Sequence, residues 1–204
     1  MQNIKTITLI ALGMLSANVA VAGGVGAGGN TGIIVRGGAA MVDPHGDGLQ
    51  IGANKLDVKD NTQLGLSASL PITGNLAVGV LAATPFKHDI TLAGKKIGTT
   101  KHLPPTVTLQ YHFNNGSAVK PYVGIGANYT KFFDEDSSLG SLNLDSSTGL
   151  AGELGVDYNF NKHWGVNGAA WYADIKTDAT LGGATLGEVD ISPWVYMVGV
   201  SYKF

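Results

Sequence analysis

The stretch 194–204 restricts the fold more sharply than any other part of this chain. Every second residue from Trp194 is apolar or aromatic: Trp194, Tyr196, Val198, Val200, Tyr202 and Phe204. The series between them, from Pro193, runs through Val195, Met197, Gly199, Ser201 and Lys203, small to polar and ending in a charge. A period of two is a strand with one oily face. Aromatics near both ends of that face suit a strand in a bilayer, where rings settle at the two interfaces. A soluble barrel would turn its oily face inward and wet the other. The terminal Phe204, with Tyr202 two places before it, also forms the pattern by which outer-membrane barrels are recognised for insertion. The tail predicts an all-β membrane barrel.

The N-terminus agrees. Lys5 supplies a short positive region, residues 7–21 are largely apolar, and Ala20-Val21-Ala22 is a small-x-small cleavage site. The apolar run is too short and interrupted for a spanning helix. The reading is a cleaved signal peptide at 1–22 and one barrel domain at 23–204, exported to a bacterial outer membrane. No later apolar stretch approaches the roughly 20 residues a helix needs to cross. Yet mean hydropathy is +0.14 with 14% charged residues, which excludes a helical membrane protein and fits a secreted globule poorly. Many short half-apolar strands reconcile export with that composition. There is no cysteine, hence neither a disulfide framework nor a thiolate metal site. Arg36 is the only arginine and the formal charge is −2; with no clustered basic face, nucleic acid is not an expected partner.

Turn signals cut the remainder into eight strands, at 31–42, 62–70, 76–90, 99–113, 118–133, 147–160, 163–177 and 189–204. Short links at 71–75, 114–117 and 161–162 alternate with longer ones at 43–61, 91–98, 134–146 and 178–188. Short periplasmic turns and longer extracellular loops are the outer-membrane arrangement. Most strands can be phased. The fifth is ambiguous, because Gly124, Gly126 and Asn128 blur its outer face. The aromatics sort into two belts: Tyr111, Phe113, Tyr122, Tyr158, Phe160, Trp164, Tyr202 and Phe204 toward the turns; Phe86, Tyr129, Phe132, Phe133, Tyr172 and Trp194 toward the loops. Eight strands leave an interior filled by side chains or holding one small ligand, which excludes a wide aqueous porin.

Several segments resemble the outer-membrane protein W (OmpW) family, which includes the alkane-uptake and OprG-like barrels. They are NTQLGL at 61–66, LAATPF at 81–86, HLPPT at 102–106, PYVG at 121–124, NYT at 128–130, FFD at 132–134, GVDY at 155–158, WY and DI at 171–175 and PW at 193–194. Together, in family order, they cover most of the chain beyond the signal. The resemblance implies an eight-stranded antiparallel barrel that passes small hydrophobic molecules by diffusion, with a constriction at Leu81 and Trp171. Alternation independently places Leu81 with Gly79 and Ala83, and Trp171 with Asn167 and Ala169, on the faces opposite the oily ones. The alternative is that both merely fill a small barrel's core.

Pro85, Pro104 and Pro105 fall in the adjacent third and fourth strands, where a missing N–H weakens the ladder. A weakened seam there would let an apolar solute leave sideways into the membrane; the alternative is a bend into extensions above the bilayer. Arg36, Glu153 and Asp157 take the polar parity of their strands, predicting an ion-paired plug in the lower lumen. The five histidines lack metal-ligand spacing, and loop polarity is the default reading of His88 and His102, which come close near the top of their strands. No metal or cofactor is expected. Serines are plentiful without a nucleophile elbow or catalytic array, so no enzyme is expected; His88 or His102 near Asp89 is the thin candidate for one. The expected partners are the lipid bilayer with its lipopolysaccharide, small hydrophobic solutes, and the barrel-assembly machinery during insertion. A plugged structural, adhesive or phage- or bacteriocin-receptor barrel is the competing function.

Overall fold

The computed structural model describes residues 32–204 apart from 47, 52–53, 115 and 139. The expected signal peptide, 1–22, and the glycine-rich 23–29 lie outside the described residues. In chain order the strands are β1 (Ile34–Asp43), β2 (Leu49–Ile51), β3 (Asn54–Val58), β4 (Asn61–Thr73), β5 (Leu76–Ala83), β6 (Phe86–Leu92), β7 (Lys95–Leu103), β8 (Thr106–His112), β9 (Val119–Ser137), β10 (Leu142–Leu144), β11 (Ser147–Asn159), β12 (Trp164–Ala173), β13 (Lys176–Leu181), β14 (Ala184–Asp190) and β15 (Trp194–Lys203).

Eight of these close on themselves. Antiparallel pairing runs β11-β12-β15-β1-β4-β5-β8-β9, and β9 pairs back onto β11. Closure leaves no edge, the condition for strands to cross hydrocarbon, where an unpaired backbone group costs several kcal/mol. The burial pattern is inside-out. Leu150, Val198 and Ile125 are 72%, 71% and 67% exposed, while Arg36 is 0% exposed. Only a lipid surround makes that arrangement favourable.

Four expected strands are each split in two, and prolines cause three of the breaks. β5 ends before Thr84-Pro85, β7 ends before Pro104-Pro105, and β14 is separated from β15 by residues 191–193, Pro193 among them; β12 and β13 part at Asp174-Ile175. The upper halves rise above the barrel. There β2, β3, β6 and β7 pair onward from the upper end of β9, while β10, β13 and β14 make a separate three-stranded sheet. The expected long loops are therefore largely strand. Their tips are tight: Ala93-Gly94 joins β6 to β7 and Gly182-Gly183 joins β13 to β14, all four residues at positive φ. Positive φ at both central positions is what a type I′ hairpin demands. Ile90, Phe132, Leu144, Ile175, Val189 and Ile191 form the apolar core between the two upper sheets.

The break at Pro85 also shifts register. Leu81 faces Thr106 and Phe86 faces His102, so residues 82–85 span what only 103–105 span opposite. One extra residue flips every later side chain to the other face. Ala77 and Leu81 point inward below the break; Phe86, His88 and Ile90 point inward above it. Uninterrupted alternation had put Phe86 on the oily face, and the slip corrects that. Tyr122 and Phe132 also leave the belts: both are buried, on the same face as Gly124, Gly126 and Asn128. The fifth strand is thus unambiguous, with Val123, Ile125, Ala127 and Tyr129 outward.

Candidate functional site

The lumen is layered. Its lower layer is polar. Arg36 on β1 donates from Nε to Asp157 Oδ1 at 2.8 Å and from Nη2 to Oδ2 at 2.6 Å, a two-pronged pair that is fully buried. Its Nη1 donates to Ser69 Oγ at 2.7 Å, and Ser69 donates on to Gln110 Oε1 at 2.6 Å. Gln110 Nε2 donates to both Glu153 oxygens at 2.9 Å, and Thr108 donates to Glu153 Oε2 at 2.5 Å. Asn167 Nδ2 reaches Asp157 at 3.0 Å and the Tyr122 hydroxyl at 3.1 Å. The Arg36 guanidinium lies 4.8 Å from the centre of the Tyr122 ring.

Arg36, Glu153 and Asp157 are thus brought together, and β1, β4, β8, β9, β11 and β12 all contribute to one network. A buried charge is tolerated only when so paired. Room for the network comes from small residues. A Cβ on Gly155 would strike the Tyr122 ring, and one on Gly79 would strike Gln110 and Thr108. Sequence reasoning missed Ser69, Thr108, Gln110, Tyr122 and Asn167. All but Tyr122 lay in plain view on the polar parity of their strands. Tyr122 shares its face with Gly124 and Gly126, and that was the signal that it points inward.

The next layer up is apolar. Leu81 and Trp171 are 4% and 2% exposed and pack with Ala40, Val42, Phe86 and Met197. Trp171 faces Glu153 across the β11–β12 ladder, so the oily layer rests directly on the polar one. Both expected residues therefore meet, and Phe86 joins them because of the register slip. Above lies an enclosed apolar cavity of about 20 Å³ whose lining includes Ile90, His102, Phe132 and Val189, room for roughly one water.

Pro85 and Pro105 are exposed and Pro104 is buried at the junction of barrel and extension. The β5–β8 ladder stops at Leu81–Thr106 and the β6–β7 ladder starts at Phe86–His102. Carbonyls freed there are taken up locally. The Thr106 hydroxyl donates to Pro104 O at 3.2 Å, and Asn128 Nδ2 donates to Pro105 O at 3.3 Å and to Thr106 Oγ1 at 2.9 Å.

His88 and His102 are not loop decoration. Both are buried, with ring centres 4.7 Å apart in a stack flanked by Phe86. His88 Nδ1 donates to the Lys59 carbonyl, and among the described residues its buried Nε2 has no partner. Burial lowers the His88 pKa, and it pushes that of His102 well below the usual imidazole range with His88 adding to the effect. Asp89 points away and pairs with Lys96 at 2.6 Å, so it acts on His88 only through its charge. At the opposite end, Phe204 is 55% exposed and meets Tyr202 edge-on at 4.8 Å, with Tyr202 in turn against Trp164. The expected insertion signal thus sits on the lipid face.

A closed eight-stranded barrel with an oily exterior and a charged interior is an outer-membrane barrel protein. Residues 29–204 match the OmpW family. Outer membrane protein W of Vibrio cholerae is 44% identical over 190 residues, covering 84% of this chain and 88% of that protein. Outer membrane protein AlkL of Ectopseudomonas oleovorans is 28% identical over 161 residues, covering 73% and 69%. The crystal structure of OprG from Pseudomonas aeruginosa superimposes with a TM-score of 0.76 at 40% identity, covering 86% of this chain and 97% of that one. The chain belongs to the OmpW family, and its place is the outer membrane.

Proposed function

We propose that this protein is a passive conduit for small hydrophobic molecules, which enter from outside and leave sideways into the membrane. The observation that carries the reading is the stacking of an apolar layer at Leu81 and Trp171 directly on a buried ion-paired network. An apolar solute is at home in the first layer and excluded by the second, since passing downward would break charge-assisted bonds in a low dielectric. The interrupted ladder at Pro85, Pro104 and Pro105 offers another way out, at the level of the oily layer. Lateral release spares the solute any contact with periplasmic water. The resemblance to alkane-uptake barrels favours the same solute class. The small cavity means that the two upper sheets must part to admit a solute.

Uptake of a fluorescent apolar probe into vesicles with and without the protein tests this, with a sugar of similar size in parallel. Faster apolar uptake with unchanged sugar uptake is the expected result. Equal rates for both solutes with and without correctly folded protein would favour a plugged receptor or structural barrel instead.

A further inference from the structure

We propose that the outward face of β6, β7 and the upper part of β9 binds the phosphate groups of the outer leaflet's anionic glycolipid, lipopolysaccharide, through Lys87, Lys101 and Lys131. This goes beyond solute passage and rests on a different surface of the molecule.

Three neighbouring strand columns change character at one height. On β9 the outward residues run Val123, Ile125, Ala127 and Tyr129, and the next is Lys131. Down β7 and β8 the outward series is Lys101, Leu103, Pro105, Val107 and Leu109. On β5 it is Val78, Val80 and Ala82, and past the register slip it is Lys87. Lys131 follows the exposed Tyr129 by two residues, about 7 Å along a strand. The lysines therefore sit just above the edge of the lipid-facing surface, where headgroups lie.

Their spacing is the second observation. Lys87 and Lys101 are direct cross-strand partners, and Lys131 faces Leu103, diagonal to Lys101. Directly opposed like charges destabilise a sheet. Lys101 lends its Nζ to Asp134 at 3.0 Å. Among the described residues, neither Lys87 nor Lys131 has a carboxylate within ion-pair distance. A doubly charged phosphate between them would relieve the repulsion and satisfy several ammonium donors at once. Nucleic acid would use the same charge but not the apolar columns immediately below. A lipid uses both: its phosphate meets the lysines while its acyl chains lie along exposed Val107 and Ile125.

The test is binding of lipid A to the folded protein in micelles, read as bound lipid by native mass spectrometry. Phosphorylated lipid A is compared with its dephosphorylated form. Each lysine near an anionic lipid surface is worth roughly fivefold in affinity, so a Lys87→Gln, Lys101→Gln, Lys131→Gln variant should bind phosphorylated lipid A at least tenfold more weakly. Its binding of the dephosphorylated form should be unchanged. The control variant Lys120→Gln, Lys162→Gln, Lys203→Gln loses the same charge at the turn side and should bind as wild type does. Equal weakening in both variants, or no weakening in the first, would overturn the proposal. Lys87→Gln alone removes the opposed pair without touching the fold's interior, and it too should weaken binding; retention at the wild-type level would count against the site.

Discussion

Arg36 is fully buried, and among the described residues Asp157 is the carboxylate within ion-pair distance of it, so that pairing sets the stability of the lower lumen. Removing one member of a buried pair leaves the other charged and alone, at a cost of about 3–5 kcal/mol, whereas replacing both with apolar residues of similar size is close to neutral. Asp157→Ala should therefore lower stability by about that amount in denaturant titrations in micelles, and Arg36→Met with Asp157→Leu should recover most of it. Equal losses in the single and double variants would show that the pair does not matter. Leu81→Arg puts an unpaired charge into the oily layer and should slow apolar uptake severalfold in the vesicle assay, with the barrel still folded. Both of these sites were legible from strand parity. Arg36, Glu153 and Asp157 fell on the polar faces, and Leu81 and Trp171 on the faces opposite the lipid. What parity could not supply was the connection between them: Gln110 bridges Ser69 to Glu153 only because closure brings β4, β8 and β11 around one lumen.

At the scale of elements, the upper sheet depends on two imidazoles staying neutral. Unfolded histidines take up protons near pH 6.5; the buried His88 and His102 do so only at lower pH. Between those values the opened chain binds more protons than the folded one, so stability rises with pH. The contribution is complete above about pH 6.5 and is lost progressively as pH falls below it. The Lys59 carbonyl that accepts from His88 and the charges of Asp60 and Asp89 all oppose the shift without reversing it. Amide exchange in β6 and β7 should accelerate on going from pH 7 to pH 5 beyond the change in intrinsic rates, while β1 and β15 stay protected. A His88→Leu, His102→Leu variant should lose that acceleration. This part of the molecule was the least legible. The strand reading ran straight through Thr84-Pro85, and the register slip there is decided by pairing with β8 and β7 on the other side, which no local pattern records. Strands β2, β3 and β10 were likewise read as loop: they are only three, five and three residues long, and β3 and β10 pair with strands far along the chain, β6 and β13.

The molecule as a whole inverts the usual soluble arrangement, and that inversion is what made it readable. Period-two alternation in 194–204 and in the strands at 62–70 and 147–160 reports an apolar exterior and a polar interior without any knowledge of long-range contacts. Closure, strand count and the position of Phe204 follow from it. The upper sheets do not, since their hairpins are joined to other strands by nonlocal pairings, β3 with β6, β7 with β9 and β10 with β13. The direction of exit is decided by comparing apolar-probe uptake by two variants with that of the wild type. In one, Pro85→Ala, Pro104→Ala and Pro105→Ala restore ladder donors at the seam. In the other, Gln110→Ala with Glu153→Ala loosens the polar floor. Sideways release predicts that the seam variant slows apolar uptake severalfold and that the floor variant leaves it unchanged. Faster apolar uptake through the loosened floor, with the seam variant at the wild-type rate, would mean that the solute travels straight down the lumen and that the account is wrong.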